Sequence, residues 1–134
     1  MENECIFCKF KEDKSKILFS TLYFYGIEDS FAVSPGHLLI ISKRHVETYD
    51  KLSDEEQQNL NHCIKKGISY LRWEKDLDVS KTDDEIGYNI GMNSGIVAGQ
   101  TVMHFHCHLI PRYKGDVEDP TGGVRGVIPN KQKY

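Results

Sequence analysis

His104-Phe105-His106-Cys107-His108 sets three imidazoles at alternate positions, with Met103 and Leu109 completing the apolar residues between and around them. A period of two is the period of a strand, so one face carries the imidazoles and the other is apolar. Imidazole is the side chain best suited to nucleophilic or acid–base work near neutral pH, and it also binds metals. Three of the chain's six histidines stand in this row. Packing explains that poorly, and the bland alternative is a polar strand edge. Alternate residues on a strand are about 6.6 Å apart, which puts His104 and His108 about 13 Å apart at the backbone. One metal does not readily bind all three, although two neighbours could share one. The row therefore implies divided roles.

The residues just upstream supply neutral hydrogen-bond donors. Asn93-Ser94-Gly95 and Gly99-Gln100-Thr101 flank a short turn that feeds the histidines. Glycines let backbone N–H groups approach an anion closely. Asn-Ser-Gly alone is an ordinary turn, but directly before three imidazoles it reads as part of a phosphate site. Cys5-Ile6-Phe7-Cys8 is half of a tetrahedral zinc site. No second Cys-x-x-Cys exists, so the missing ligands would be histidines, with His45 and His104 as candidates. The rival is a redox pair, which usually sits between a strand and a helix and not at residue 5. Cys63 falls on an apolar helix stripe and Cys107 on the apolar face of its strand, so both read as core. His37 and His45 flank an apolar strand and fit either a site or an ordinary strand end. His62 lies on an exposed helix face and carries no assignment.

Several elements must hold these groups. Lys16–Ser20 and Thr21–Tyr25 read as strands, with Gly26 breaking the second, and Ser30–Val33 as a short third. Ser34-Pro35-Gly36 is a turn by its chemistry. His37–Ser42 is almost continuously apolar and β-branched, as a buried strand would be. Ser53-Asp54-Glu55-Glu56 is a capping-box signature. Leu60, Ile64, Ile68 and Leu71 then recur at helical spacing, predicting a helix to about Trp73 with Gly67 as a weak point. Glu74–Asp84 reads as a charged loop, Gly87–Asn93 as a strand, Ser94–Gln100 as a loop and Thr101–Arg112 as the histidine strand. Tyr113–Tyr134 is rich in glycine, proline and charge. Strands on both sides of one long helix predict an α+β domain with an antiparallel sheet.

The chain has 134 residues, enough for one domain with a real core. Apolar residues make up 39% and charged residues 28%, the composition of a soluble globular protein. A net charge of −3 gives no case for a nucleic-acid backbone as partner, so any phosphate must be held locally. No apolar run reaches the roughly 18 residues that span a bilayer, so no membrane partner is expected. Met1-Glu2-Asn3-Glu4-Cys5 lacks the basic and apolar regions of a signal peptide, predicting a cytoplasmic protein with reduced thiols.

The run from Gly99 to Ile110 resembles the signature of the histidine-triad superfamily, His-φ-His-φ-His-φ-φ with φ apolar, and the preceding Gly-Gln-Thr matches as well. Pro35–His45 resembles the family's upstream strand, and Cys5–Cys8 the zinc half-site of many microbial members. The segment from Gly115 to Pro129 is similar to a subset of those members, with no chemical role evident. The resemblance implies a single α+β domain over residues 1–134, with a five-stranded antiparallel sheet, one long helix, a short helix and an irregular tail at 115–134. It implies a homodimer, formed around the long helix and a sheet edge. It implies hydrolysis or transfer at the α-phosphate of nucleotides such as diadenosine polyphosphates or nucleoside phosphoramidates. His106 would be the nucleophile and form a nucleotidyl-histidine. His108 and Asn93 would contact the non-bridging oxygens. Gln100 and Thr101 would position the phosphate, with Thr101 near the leaving group and His37 close by. Cys5, Cys8, His45 and His104 would hold a structural zinc ion. Many members bind the ribose through an acidic residue before the Pro-Gly-His turn. Here that stretch is shorter, and Asp29 aligns with it only without a gap.

Two rival readings keep the same residues. One is a nucleotide-binding module of the same fold without useful turnover, which would have no need of a nucleophile. The other is a metalloenzyme with a catalytic ion on His104 and His106, which lacks an obvious carboxylate ligand in the strand.

Overall fold

In the computed structural model, residues 4–74 and 85–134 are described. Helix α1 spans Ile6–Lys11 and strands β1 and β2 span Phe19–Ser20 and Phe24–Glu28. Strand β3 (Leu38–Ser42) precedes the long helix α2 (Asp54–Ser69), which runs on into a π-helical turn at Tyr70–Glu74. Strands β4 (Ile86–Gly91) and β5 (His106–Tyr113) complete a five-stranded sheet in the order β1-β2-β3-β5-β4. All four pairings are antiparallel. The expected α+β architecture, with one long and one short helix, is the architecture present.

The alternation read from the sequence becomes two cores. Phe24, Leu38, Ile40, Phe105, Cys107 and Leu109 face α2 and pack on Leu60, Cys63 and Leu71. Their neighbours Tyr25, Ile27, Leu39 and Ile41 face the other way and pack with Phe7 of α1. The Tyr25 hydroxyl donates to the carbonyl of Phe7 and ties α1 to the sheet. Helix α2 starts where its capping box predicts. Ser53 Oγ accepts the Glu56 N–H at 3.1 Å, and the Ser53 N–H donates to Glu56 Oε1 at 2.8 Å. Glu56 also pairs with Arg44 at 2.8 Å, which anchors the loop carrying His45 to the helix. That pairing holds the Glu56 carboxyl below its usual range. Ser53→Ala is expected to lower stability by about 1 kcal/mol, read by urea unfolding, because the Glu56 N–H at the helix end loses its acceptor.

Several local expectations are corrected. Gly26 does not end β2, which continues to Glu28. Gly26 pairs with Phe19 across the ladder, and a Cβ at Gly26 would strike the Phe19 ring, so the glycine is a seat for that ring. Gly67 serves the same end in α2, where a Cβ would meet Leu109 at 2.9 Å, so the bare backbone lets the helix approach the sheet. Ser30–Val33 is a turn and not a strand. The Asp29 carboxylate accepts the Phe31 N–H at 2.9 Å, the local bond by which aspartate favours turns. β1 is shorter than expected, β2 is shifted from Thr21–Tyr25 to Phe24–Glu28, and the histidine strand starts at His106 instead of Thr101, running on to Tyr113. Residues 6–11, to which sequence periodicity gave no element, form α1. Of the loop expected at Glu74–Asp84, Glu74 ends the π-helical turn and 75–84 lie outside the described residues. Among the described residues, no helix is long and apolar enough to cross a membrane.

Candidate functional site

β5 lies between β3 and β4, so its polar face is framed by both neighbours. His106 pairs with Ile41, and His108 stands between Leu39 and Gly91. His104 precedes the strand, yet its ring falls on the same side as those of His106 and His108, because Phe105 is anchored toward the α2 core. The Phe105 N–H donates to Val46 and its carbonyl accepts from Ser42.

Hydrogen bonds fix a different state for each ring. His106 Nδ1 lies 2.9 Å from the His104 carbonyl. A carbonyl only accepts, so the neutral ring carries its proton on Nδ1 and leaves Nε2 as a lone pair. The Phe7 ring packs edge-on against His106 with 5.0 Å between centroids. The His37 Nδ1 accepts the Val33 N–H at 3.2 Å, which puts the His37 proton on Nε2. That Nε2 lies 2.9 Å from His108 Nδ1 and 3.3 Å from Asp29 Oδ2. His108 therefore accepts on Nδ1 and carries its own proton on Nε2. Burial pushes His37 below the ordinary histidine value, against the pull of Asp29. Burial, then the neighbouring His106 and His37, does the same for His108. Both are neutral at neutral pH. Asp29, His37 and His108 bring their ligand atoms within 4.8 Å of one another. The proton that Val33 forces onto His37 Nε2 makes this a hydrogen-bonded relay, not a set of open metal ligands.

Cys5, Cys8, His45 and His104 also bring their ligand atoms within 4.8 Å of one another, and this set can hold a metal ion. Cys5 stands at the N-cap position of α1 and Cys8 lies in its first turn; His45 follows β3. Cys8 Sγ is 3.2 Å from His45 Nδ1, Cys5 Sγ is 3.3 Å from His104 Nδ1, and the two Nδ1 atoms are 3.1 Å apart. Tetrahedral zinc with two sulfurs and two nitrogens places such atoms about 3.3–3.8 Å apart, so the donors fit. His104 donates from Nε2 to the Ser42 carbonyl at 2.7 Å, which turns its Nδ1 lone pair toward the cysteines. Burial lowers His104 to about 4, so it stays an available neutral ligand. His106 commits its Nδ1 to a carbonyl while His104 Nδ1 faces the thiols. The two rings thus offer no shared metal position, which disfavours a catalytic ion on that pair.

The loop before β5 lies beside this face. Gln100 is buried; its Oε1 accepts the Gly95 N–H at 2.8 Å, and its Nε2 donates to Glu47 at 2.8 Å and Val102 at 3.0 Å. Its amide therefore shapes the loop. Asn93 and Thr101 line a cavity of about 290 Å³ with His106, His108, Asp29 and Phe31. The structure thus gathers Asn93, Thr101, His106 and His108 around one cavity, with His37 and Gln100 behind it, and Cys5, Cys8, His45 and His104 in a separate cluster. Burial raises the Cys63 thiol and pushes that of Cys107 up to about 12, as expected of core cysteines. Two residues went unnoticed in the sequence. Phe7 had its signal in the apolar pair between the cysteines, and the Ser42 carbonyl had none.

A family model described as the HIT domain matches residues 10–115. The chain belongs to the histidine-triad family. An uncharacterized HIT-like protein of Methanocaldococcus jannaschii is 38% identical to it, over 85% of this chain and 83% of its own. The adenosine 5′-monophosphoramidase of Candida albicans is 34% identical, over 81% of this chain and 70% of its own. The crystal structure of a zinc-bound histidine triad family protein from Mycobacterium smegmatis superposes with a TM-score of 0.70 at 26% identity, covering 89% of this chain and 82% of that one.

Proposed function

We propose that this histidine-triad protein is a nucleotide hydrolase or nucleotidyltransferase, acting at the α-phosphate through a nucleotidyl-His106 intermediate. The observation that carries this reading is the His106 tautomer: the Nδ1–H bond to the His104 carbonyl leaves Nε2 as a lone pair beside a cavity lined with donors. In the first half-reaction, Nε2 bonds to phosphorus as the bond to the leaving group breaks. The leaving group departs with the electron pair and takes up a proton from water. In the second, a water oxygen bonds to phosphorus, the phosphorus–His106 bond breaks, and one proton returns to solvent. The His108 Nε2–H and the Asn93 amide hold the non-bridging oxygens. Thr101 sits near the leaving group, Gln100 shapes the loop around the phosphate, and the His37–Asp29 pair fixes His108. The nucleoside lies where Phe10, Ile27 and Phe31 line the 290 Å³ cavity, with Asp29 as acceptor for ribose hydroxyls. Nucleoside phosphoramidates and diadenosine polyphosphates both present the required phosphorus. The phosphoramidase activity named for the Candida relative supports that chemistry.

Cys5, Cys8, His45 and His104 would hold a structural zinc ion, which would pin α1 and the start of β5 together. The zinc-bound mycobacterial relative supports the metal's identity. The test of the reading is a substrate panel with nucleoside monophosphate release as readout, with rapid alkaline quenching to trap the acid-labile adduct. Product release with a mass increment on His106 supports it. Stoichiometric binding without product would replace it with the binding-module reading.

The same reading includes a homodimer in the cytoplasm, built around α2 and a sheet edge. β1 and β4 are the outer strands, and such edges carry unpaired backbone groups that a second chain can cover. Light scattering at micromolar concentration is expected to give twice the 15.4 kDa chain mass. A stable, active monomer would overturn it.

A further inference from the structure

A second cavity, of about 300 Å³, meets the 290 Å³ cavity at Phe10, Ile27 and Ser30, which line both. Asn93, Thr101, His106 and His108 line only the first. A nucleotide with its phosphate at His106 therefore has room for its base to reach past Phe10 and Ile27 into the second.

The walls change character along that line. Phe10 and Ile27 offer apolar surface to the faces of a flat base, whereas Lys16 and Glu28 bring opposite charges to the far cavity. A turn at Asp13 fixes the segment that carries Lys16. The Asp13 carboxylate accepts the Ser15 N–H at 3.1 Å, and its carbonyl accepts the Lys16 N–H at 3.1 Å. Lys16 Nζ stands over the Phe10 ring, 5.4 Å from its centroid. The Leu18 N–H donates to the Gly26 carbonyl at 2.9 Å and holds this segment beside the end of β2, where Glu28 stands.

The cavity stays open in a dimer of the kind proposed above. Ile27 belongs to the core that Phe7 of α1 covers, so the cavity lies on the face of the sheet opposite α2. At the β1 edge only Phe19 and Ser20 are in strand pairing, against the six residues of β4. An edge that short, with a lysine beside it, is a poor template for a second chain. A dimer around α2 and a sheet edge therefore uses β4.

Guanine complements the two charges. Its Watson–Crick edge sets the O6 acceptor next to the N1–H and N2–H donors. An ammonium only donates and a carboxylate only accepts. Lys16 thus matches O6, and Glu28 matches N1–H and N2–H together. Adenine in the same seat reverses the match: its N6 amino group meets the ammonium and its N1 lone pair meets the carboxylate.

We propose that this second cavity is the seat of the base edge, where Lys16 and Glu28 select guanine, so that guanosine nucleotides are the substrate class. This rests on the hydrolase reading above. The phosphate sits at His106 and His108, the ribose at Asp29, and the base lies between Phe10 and Ile27 with its edge at Lys16 and Glu28.

The test measures binding of GMP and AMP by calorimetry, and kcat/KM for guanosine and adenosine 5′-phosphoramidate, all with the intact protein. GMP is expected to bind about tenfold tighter than AMP, and kcat/KM to favour the guanosine substrate by a similar factor. Lys16 and Glu28 are exposed, so water competes for them and the factor stays modest. Glu28→Ala and Lys16→Met should each bring the two bases to within about threefold of one another. The same exposure keeps folding out of question, and methionine preserves the apolar stem over Phe10. Equal affinity for GMP and AMP, a preference for AMP, or a GMP preference unmoved by either substitution would overturn the base seat. Turnover of both phosphoramidates would then leave the hydrolase reading standing. A GMP preference lost in both variants, with no turnover by the intact protein, would uphold the base seat and overturn the hydrolase reading.

Discussion

His106→Ala is expected to lose about four orders of magnitude or more in turnover while keeping its fold and its affinity for nucleoside monophosphate. The loss follows from one atom. Nε2 keeps the lone pair, beside the cavity where the phosphate is proposed to bind, because the His104 carbonyl holds the proton on Nδ1. His108 cannot replace it, since His37 donates to His108 Nδ1 and leaves a proton on the far nitrogen. A second substitution separates nucleophile from scaffold: His106→Gly leaves space for free imidazole, and added imidazole is expected to restore part of the rate. Turnover in His106→Ala within tenfold of the unsubstituted protein would remove His106 from the nucleophile's role. Loss of turnover with loss of fold, read by circular dichroism, would assign the ring to packing against Phe7 instead.

The sequence placed the imidazole row more closely than it placed the ends of the strands. A period of two was enough to place Phe105, Cys107 and Leu109 in one core, with His104, His106 and His108 on the opposite side. That holds even though the strand begins only at His106, because Phe105 is pinned by backbone bonds to Val46 and Ser42. The helix start was legible from Ser53 and Glu56, since a capping box is a local interaction. The errors fell where tertiary contact decides. Gly26 reads as a strand breaker until the Phe19 ring above it is seen. Ser30–Val33 is β-prone by composition, yet one bond from Asp29 turns it. The relay of Asp29, His37 and His108 was hidden because its members come from different elements. Register alone brings them together: Glu28 pairs with Leu38, and Leu39 with His108. The tail motif was visible as glycines in a row, but the fold they permit depends on Gln132 packing back across them.

Cys5→Ser is expected to release zinc and lower the melting temperature by more than about 10 °C, while changing the rate of the chemical step far less. A ligand that binds only the folded state stabilises it by about 4 kcal/mol when its free concentration is about a thousand times Kd. In a domain of this size that corresponds to a shift of roughly 10–15 °C. The effect on chemistry is smaller because His106 takes its tautomer from the His104 carbonyl, which the backbone bonds of Phe105 hold independently of the metal. The metal-free protein should also become acid-sensitive in a defined window. In the folded chain burial keeps His104 neutral down to about 4, from an ordinary value of 6.5. Below 6.5 the unfolded chain therefore binds a proton that the folded chain refuses. Stability falls as pH drops from 6.5 and levels off for this group near 4. His104→Gln should flatten that slope in the metal-free protein. Elemental analysis of protein purified without a metal-binding tag, followed by melting curves with and without a chelator, checks the assignment. One zinc per chain, lost in Cys5→Ser and in Cys8→Ser, is the expected result. Untagged protein that contains no zinc under reducing conditions, and melts at the same temperature with added zinc as with chelator, would return the cluster to four hydrogen-bonded side chains.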